Sequence, residues 1–238
     1  YKDQNGSLLN PKLPLSIRTV ASITETDPVS GVASTRQYTY AGGAYYYADP
    51  FDRKFAGFEQ VSELRPDGSR VVTYFHQGNE TNSSLFEIND QPSKIGKPFR
   101  IDIFNAAGNL MRQTWTHWIS DALTSVAGDR FFVRAGQQIS ADFDGNGTSR
   151  GRAIDYTYTI STGDLFETKD YGEVTIINPA VFNDIGSDLV ISSYSYAVNP
   201  AGMHALSHIQ INDQSTAVAQ TNRYYDGLPF GQIAQGNL

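Results

Sequence analysis

Between Phe99 and Phe104 the chain alternates: Phe99, Ile101 and Ile103 fall on one side, Arg100 and Asp102 on the other. A period of two marks a half-buried strand, because successive side chains point to opposite faces. After a turn at Asn105-Ala106-Ala107-Gly108-Asn109 the alternation returns from Leu110 to Trp118, so the two runs predict a hairpin. Upstream, Phe55 to Leu64 and Arg70 to Phe75 are rich in β-branched and aromatic residues and flank Pro66-Asp67-Gly68. Proline fixes φ there and glycine is free to take positive φ, which predicts a second hairpin. Ser16 to Thr24 and Ser34 to Tyr40 form an earlier pair, punctuated at Asp27-Pro28 to Gly31 and ended by a Gly42-Gly43 turn.

The second half repeats the arrangement. Strand patterns run from Arg130 to Phe143, Ala153 to Ile160, Leu165 to Ile177, Leu189 to Ala197, Ala205 to Asn212 and Thr216 to Tyr225, with glycine-bearing turns between most of them. Three intervals lack the period: Gln77 to Lys97, expected as an ordered loop with a single helical turn, Asp121 to Gly128, a connector, and Asn178 to Asp188, a loop centred on Pro179 and Gly186. The fold class is all-β: successive antiparallel hairpins forming a curved sheet, as one unit over residues 1–238. The outer strands, Ser16 to Thr24 and Thr216 to Tyr225, are expected to present unpaired edges. The chain begins at Tyr1 and ends in turn-like Gly236-Asn237-Leu238, so both ends read as cuts in a longer polypeptide.

Composition narrows the function. Fourteen Tyr, 13 Phe and 21 Gly against 2 Met favour strands joined by tight turns. A net charge of -7 argues against a nucleic acid partner, since no basic stripe is present to displace counterions. Zero cysteines remove disulfide and thiolate chemistry. No apolar run approaches the roughly 20 residues of a membrane span.

Candidate chemistry is sparse. Asp142, Asp144 and Asn146 have the oxygen spacing of the first half of a calcium loop, but the bidentate acid expected after the glycine is missing, and an Asx-stabilised turn accounts for the same residues. No cofactor is expected, calcium at this turn being the one exception the spacing admits. His204 and His208 stand four apart, a metal-compatible spacing with no evident third ligand. His76 is expected to bond its own turn and His117 to be structural. Asp49, Asp52, Glu59, Asp67, Asp142, Asp144 and Asp155 offer carboxylate pairs, but turns explain aspartates of this kind, and no Gly-x-Ser-x-Gly elbow or phosphate-cradling loop accompanies them. Trp115 and Trp118 fall on opposite faces of one strand, which places one of them in the core. No catalytic set emerges.

The turns themselves share a pattern: an aromatic, a few polar residues, a glycine with a partner, then an outgoing strand. It occurs as Phe104 to Gly108-Asn109-Leu110, Tyr158 to Gly163-Asp164-Leu165, Tyr196 to Gly202-Met203, in short form as Tyr74 to Gly78-Asn79, and near the end as Tyr225-Asp226-Gly227. Phe104 to Leu110 differs from the Tyr-Asp-x-x-Gly-Asn-Leu consensus of Rhs/YD repeats by an aromatic swap and an Asn for the Asp. Tyr45 to Asn79, Asp170 to Val174 and Asn222 to Leu238 also resemble Rhs shell sequence, most of all the middle region of the B and C components of bacterial toxin complexes. That resemblance implies a section of an Rhs-type β-cocoon: a non-catalytic, secreted or cell-surface bacterial scaffold whose partners are neighbouring shell segments of the same parent chain and an enclosed C-terminal effector. The effector parts themselves are absent. A free-standing, adhesin-like carbohydrate- or cell-surface-binding module is the alternative.

Overall fold

The computed structural model describes residues 10–123, 130–145 and 148–237. Among them lie thirteen strands and two three-residue 3-10 turns, Ser83–Leu85 and Pro92–Lys94. The strands are β1 (Ser22–Thr26), β2 (Ala33–Tyr47), β3 (Arg53–Leu64), β4 (Arg70–Phe75), β5 (Pro98–Phe104), β6 (Leu110–Ala122), β7 (Phe131–Phe143), β8 (Ser149–Tyr158), β9 (Leu165–Asn178), β10 (Val181–Asp184), β11 (Val190–Val198), β12 (His204–Asp213) and β13 (Thr216–Asn222). They join in one open antiparallel sheet whose order follows the chain, except that β10 folds back on β9 and β11 takes the place beside β9. The all-β expectation of successive hairpins is borne out, with β1 and β13 at the two ends of the order.

By internal contact the chain divides into two units, Tyr1–Ser120 with Ser140–Arg150, and Asp121–Ile139 with Gly151–Leu238. In the first, β2 and β3 make the longest antiparallel pairing, from Gln37 opposite Leu64 to Tyr47 opposite Arg53. Gly42-Gly43 does not turn the chain: both glycines lie inside β2. Gly42 has φ +64° and sits opposite Glu59, where a Cβ would come within 2.7 Å of the Glu59 Cβ, so glycine admits a close strand approach. The reversal comes at Asp49, whose carboxylate accepts the Phe51 and Asp52 N–H groups. The strand expected from Ser16 starts only at Ser22, where regular pairing begins. Residues 16–21 lie outside the strand, although the Tyr38 N–H still reaches the Ala21 carbonyl at 2.8 Å.

The hairpin turns explain the irregular repeat. At 65–69, 105–109 and 199–203 the first N–H donates to the carbonyl four residues on, and the glycine N–H donates back to the first carbonyl. Gly68, Gly108 and Gly202 occupy the left-handed position with φ of +82°, +84° and +79°. This is the three-residue hairpin loop in which a residue near αL closes a type I turn. Asn105 and Asn199 brace two of the turns by accepting the Asn109 and Met203 N–H groups.

In the second unit, Asn178 to Asp188 proves to be more than a loop. Val181–Asp184 forms β10, and the Phe182 ring meets Tyr171 edge-on at 4.8 Å. Four residues are too few for periodicity to reveal. The last strand ends at Asn222 rather than Tyr225, because Tyr225 turns inward. Its hydroxyl donates to the Leu206 carbonyl and its ring joins Ala197 and Ile233 in a buried cluster.

Asp226 holds the segment after β13. Its carboxylate accepts the N–H groups of Ala234, Gln235, Gly236 and Asn237 at 2.8, 2.8, 3.1 and 3.1 Å. Those backbone donors, that of Ala234 first, bring its pKa down to about 2. A depressed carboxylate contributes stability that is complete above the ordinary value of about 3.9 and is lost as pH falls through the folded value. The melting-temperature gap between the wild type and Asp226→Asn is therefore expected to be widest near pH ~5 and to close steadily towards pH ~2. Amide exchange at 234–237 should accelerate in the variant.

Candidate functional site

β4 and β5 pair directly, so the segment from His76 to Lys97 leaves the sheet and must return beside its own point of departure. The neck is closed by the His76 N–H donating to the Lys97 carbonyl at 3.0 Å and the Gly96 N–H donating to the His76 carbonyl at 2.9 Å. The segment is ordered by two 3-10 turns where a single helical turn is expected. Beneath it lie polar side chains that are almost wholly removed from water: His76, Glu87, Asp90 and Lys94.

His76 does not bond its own turn. Its Nδ1 lies 2.7 Å from Glu87 Oε1 and 3.2 Å from Asp90 Oδ1, and its ring packs on Phe99 at 5.1 Å. Asp90 also accepts the Gly78 and Asn79 N–H groups at 2.9 and 2.8 Å, and Glu87 Oε2 accepts that of Asn82 at 2.7 Å. Lys94 Nζ donates to the Asn89 carbonyl at 2.7 Å. Burial is the largest influence on the His76 imidazole and opposes its charge, yet the Asp90 and Glu87 contacts together outweigh it and raise the pKa above the ordinary value. For Asp90, burial again opposes ionisation and is outweighed by His76 and the two backbone donors, so its pKa is lowered. Lys94 and His117 are both lowered, burial leading in each case. The His76 contacts to Glu87 and Asp90 and the Lys94 contact to the Asn89 carbonyl hold the segment from beneath.

A cavity of about 940 Å³ adjoins this cluster, with Tyr45, Tyr47, Glu59, Gln77, Glu87 and Asp90 in its wall. Gln77 spans from the segment to the sheet, donating through Nε2 to the carbonyls of Gly42 and Gly57 at 2.7 and 3.1 Å. Asn82 adds a contact of 2.7 Å to Glu59 Oε1.

Asp142 pairs with Arg112 on the surface, Asp144 accepts from Thr148, and Asn146 lies outside the described residues. His204 contacts Asp164 and His208 contacts Asn222, so the two imidazoles serve different neighbours. An irregularity in the β11/β12 register between them, where Ser195 faces His208 and Tyr196 faces Leu206, breaks the alternation that would set them on one face. Trp115 is buried, while Trp118 is half-buried and donates through its indole N–H to the Pro98 carbonyl. Asp49 and Asp67 brace turns, and Asp155 accepts from Gln137 and Tyr171.

Of the repeat residues, Tyr74, Phe104 and Tyr158 each carry an arginine over the ring, from Arg100, Arg70 and Arg134. Gly163 takes φ +80° in a turn one residue longer than the others, and Tyr196 leads into the 199–203 turn. Gly78 and Asn79 depart from the pattern: instead of a hairpin they form the lip of the buried cluster, where Asp90 holds both N–H groups. Asp226 and Gly227 start the terminal segment with φ of +56° and +68°. Glu87, Asp90 and Lys94 escaped the sequence reading because no regular spacing joins them to His76. Their only signal was three ionisable residues among the sparse apolar positions Leu85, Phe86 and Ile88.

Fold and site together define a β-meander segment with one long, electrostatically pinned excursion. Residues 1–80 match the family described as the insecticide toxin TcdB middle/N-terminal region, which bears out the resemblance to toxin-complex proteins over that stretch. The match takes in β1 to β4, His76 and Gly78, and ends before Glu87, Asp90 and Lys94. No curated protein matches the chain. Among the described residues no helix is long and apolar enough to cross a membrane.

Proposed function

We propose that the chain is a non-catalytic wall segment of a secreted, Rhs/YD-repeat, toxin-complex-like protein that encloses a C-terminal effector. The observation that carries this reading is the meander itself: an antiparallel sheet laid down almost wholly in chain order and open at β1 and β13. An open edge is a template for the next strand, so neighbouring parts of the parent chain are the natural partners at both ends. Large apolar side chains left in solvent near those ends, Ile23, Val29 and Val32 at one and Val218, Tyr224 and Phe230 at the other, support the same partnership. Such a wall works by excluded volume, keeping water and protease from what lies behind it.

The test is limited proteolysis of the parent polypeptide. The C-terminal segment should stay intact while the shell is folded and be cut once the shell is denatured. Cleavage of that segment at the same rate in both states would overturn the proposal. The cavity beside the tyrosines keeps the carbohydrate-binding module as a second reading, since aromatic faces and carboxylates suit sugars. Saturable binding on a glycan array, abolished by Tyr45→Ala, would favour it.

A further inference from the structure

We propose that His76, Glu87 and Asp90 form a site for one divalent transition-metal ion of the zinc class, which fastens the 77–97 segment to the sheet. One ligand atom from each of the three lies within 4.8 Å of the others. The imidazole Nδ1 carries at most one proton, yet carboxylate oxygens of both Glu87 and Asp90 converge on it, at 2.7 and 3.2 Å. A single N–H cannot fully serve both, whereas a cation between the three atoms serves all of them.

The two distances from the imidazole nitrogen are near those such an ion needs. Zinc bonds to nitrogen and oxygen of about 2.0–2.2 Å set tetrahedral ligand atoms roughly 3.3 Å apart. The contact to Asp90 fits already, and the contact to Glu87 must open by about half an ångström. Both carboxylate ligands are oriented from outside: Asp90 by the Gly78 and Asn79 N–H groups, Glu87 by that of Asn82. The side chains of His76, Glu87 and Asp90 are 1%, 4% and 1% exposed, so an ion there is shielded from competing solvent. Glu87 and Asp90 also belong to the lining of the adjoining cavity. One imidazole with two carboxylates suits a borderline ion, whereas calcium and magnesium call for six or more oxygens. Lys94, which donates to the Asn89 carbonyl, is the neighbouring charge that such an ion must overcome.

The experiment is titration of the EDTA-stripped chain with zinc chloride, by calorimetry and by thermal melting, with cobalt(II) as a coloured substitute. The expected result is one equivalent bound, visible cobalt bands, and a melting temperature raised by about 5–10 °C at a hundredfold excess over Kd. Glu87→Gln and Asp90→Asn, which keep the side-chain shape, should each weaken binding at least tenfold, and His208→Gln should leave it unchanged. If the two carboxamide variants fail to fold, the 15N resonance of His76 Nδ1 in the wild type still decides, since coordination must move it when zinc is added. Three outcomes would overturn the site: no binding by the stripped wild type, binding that leaves the His76 resonance in place, or an equal response to calcium or magnesium.

Discussion

Gly78→Ala is expected to lower the melting temperature of the chain by about 4–20 °C. Two costs combine. Gly78 has φ +70°, and a Cβ in the left-handed region costs roughly 1–2 kcal/mol. That Cβ would also come within 2.8 Å of the Pro92 Cα and of Ile95 Cγ1. Pro92 offers backbone there, which cannot swing aside as a flexible side-chain tip would, so overpacking adds about 1–3 kcal/mol. Domains of this size lose about 2–4 °C per kcal/mol. Gly108→Ala is the matched control, because Gly108 has a similar φ of +84° but nothing within 4 Å of its Cβ position. Only the backbone term remains there, and the drop should be about 2–8 °C. Equal losses in circular-dichroism melts would show that the close approach of Gly78 to the second 3-10 turn contributes nothing.

That contrast also shows what the sequence could and could not reveal. Gly108 and Gly78 stand in the same written context, an aromatic four residues ahead of a glycine-asparagine pair, and both take positive φ. One closes a two-strand turn and the other opens a long excursion. The hairpins were legible because turn chemistry is local: Pro66-Asp67-Gly68 or Asn105 to Asn109 dictate their own hydrogen bonds. Strand ends were harder, since pairing partners rather than propensity decide where β1 begins or where β6 runs on to Ala122. The buried cluster was out of reach for a different reason. His76, Glu87, Asp90 and Lys94 meet only once the chain has left the sheet, turned twice and come back, a geometry no periodicity encodes. Even Asp102, on the charged side of the cleanest alternation, is 2% exposed and held by Arg100 and Gln113, so charge in a strand did not mean a solvent-facing side.

Asp90→Ala is expected to destabilise the first unit by about 3–5 kcal/mol, against no more than about 1 kcal/mol for Asp142→Ala. Both aspartates pair with a cationic or potentially cationic partner, so a tally of ion pairs would rank them alike. Their surroundings separate them. Asp142 is 51% exposed opposite an equally exposed Arg112, and water replaces either partner at little cost. Asp90 is 1% exposed, and its loss strands the Gly78 and Asn79 N–H groups and leaves His76 with Glu87 alone. Asp90→Asn keeps one acceptor oxygen and should recover about half of the loss. Urea unfolding at unchanged m-value measures the totals. Amide exchange then shows where they arise: protection should fall first across 77–97 and at the neck amides of His76 and Gly96, with the β4 and β5 ladder following. If Asp90→Ala lost no more than Asp142→Ala, or if exchange at 77–97 were unchanged, the buried carboxylate would not be what pins this segment to the sheet.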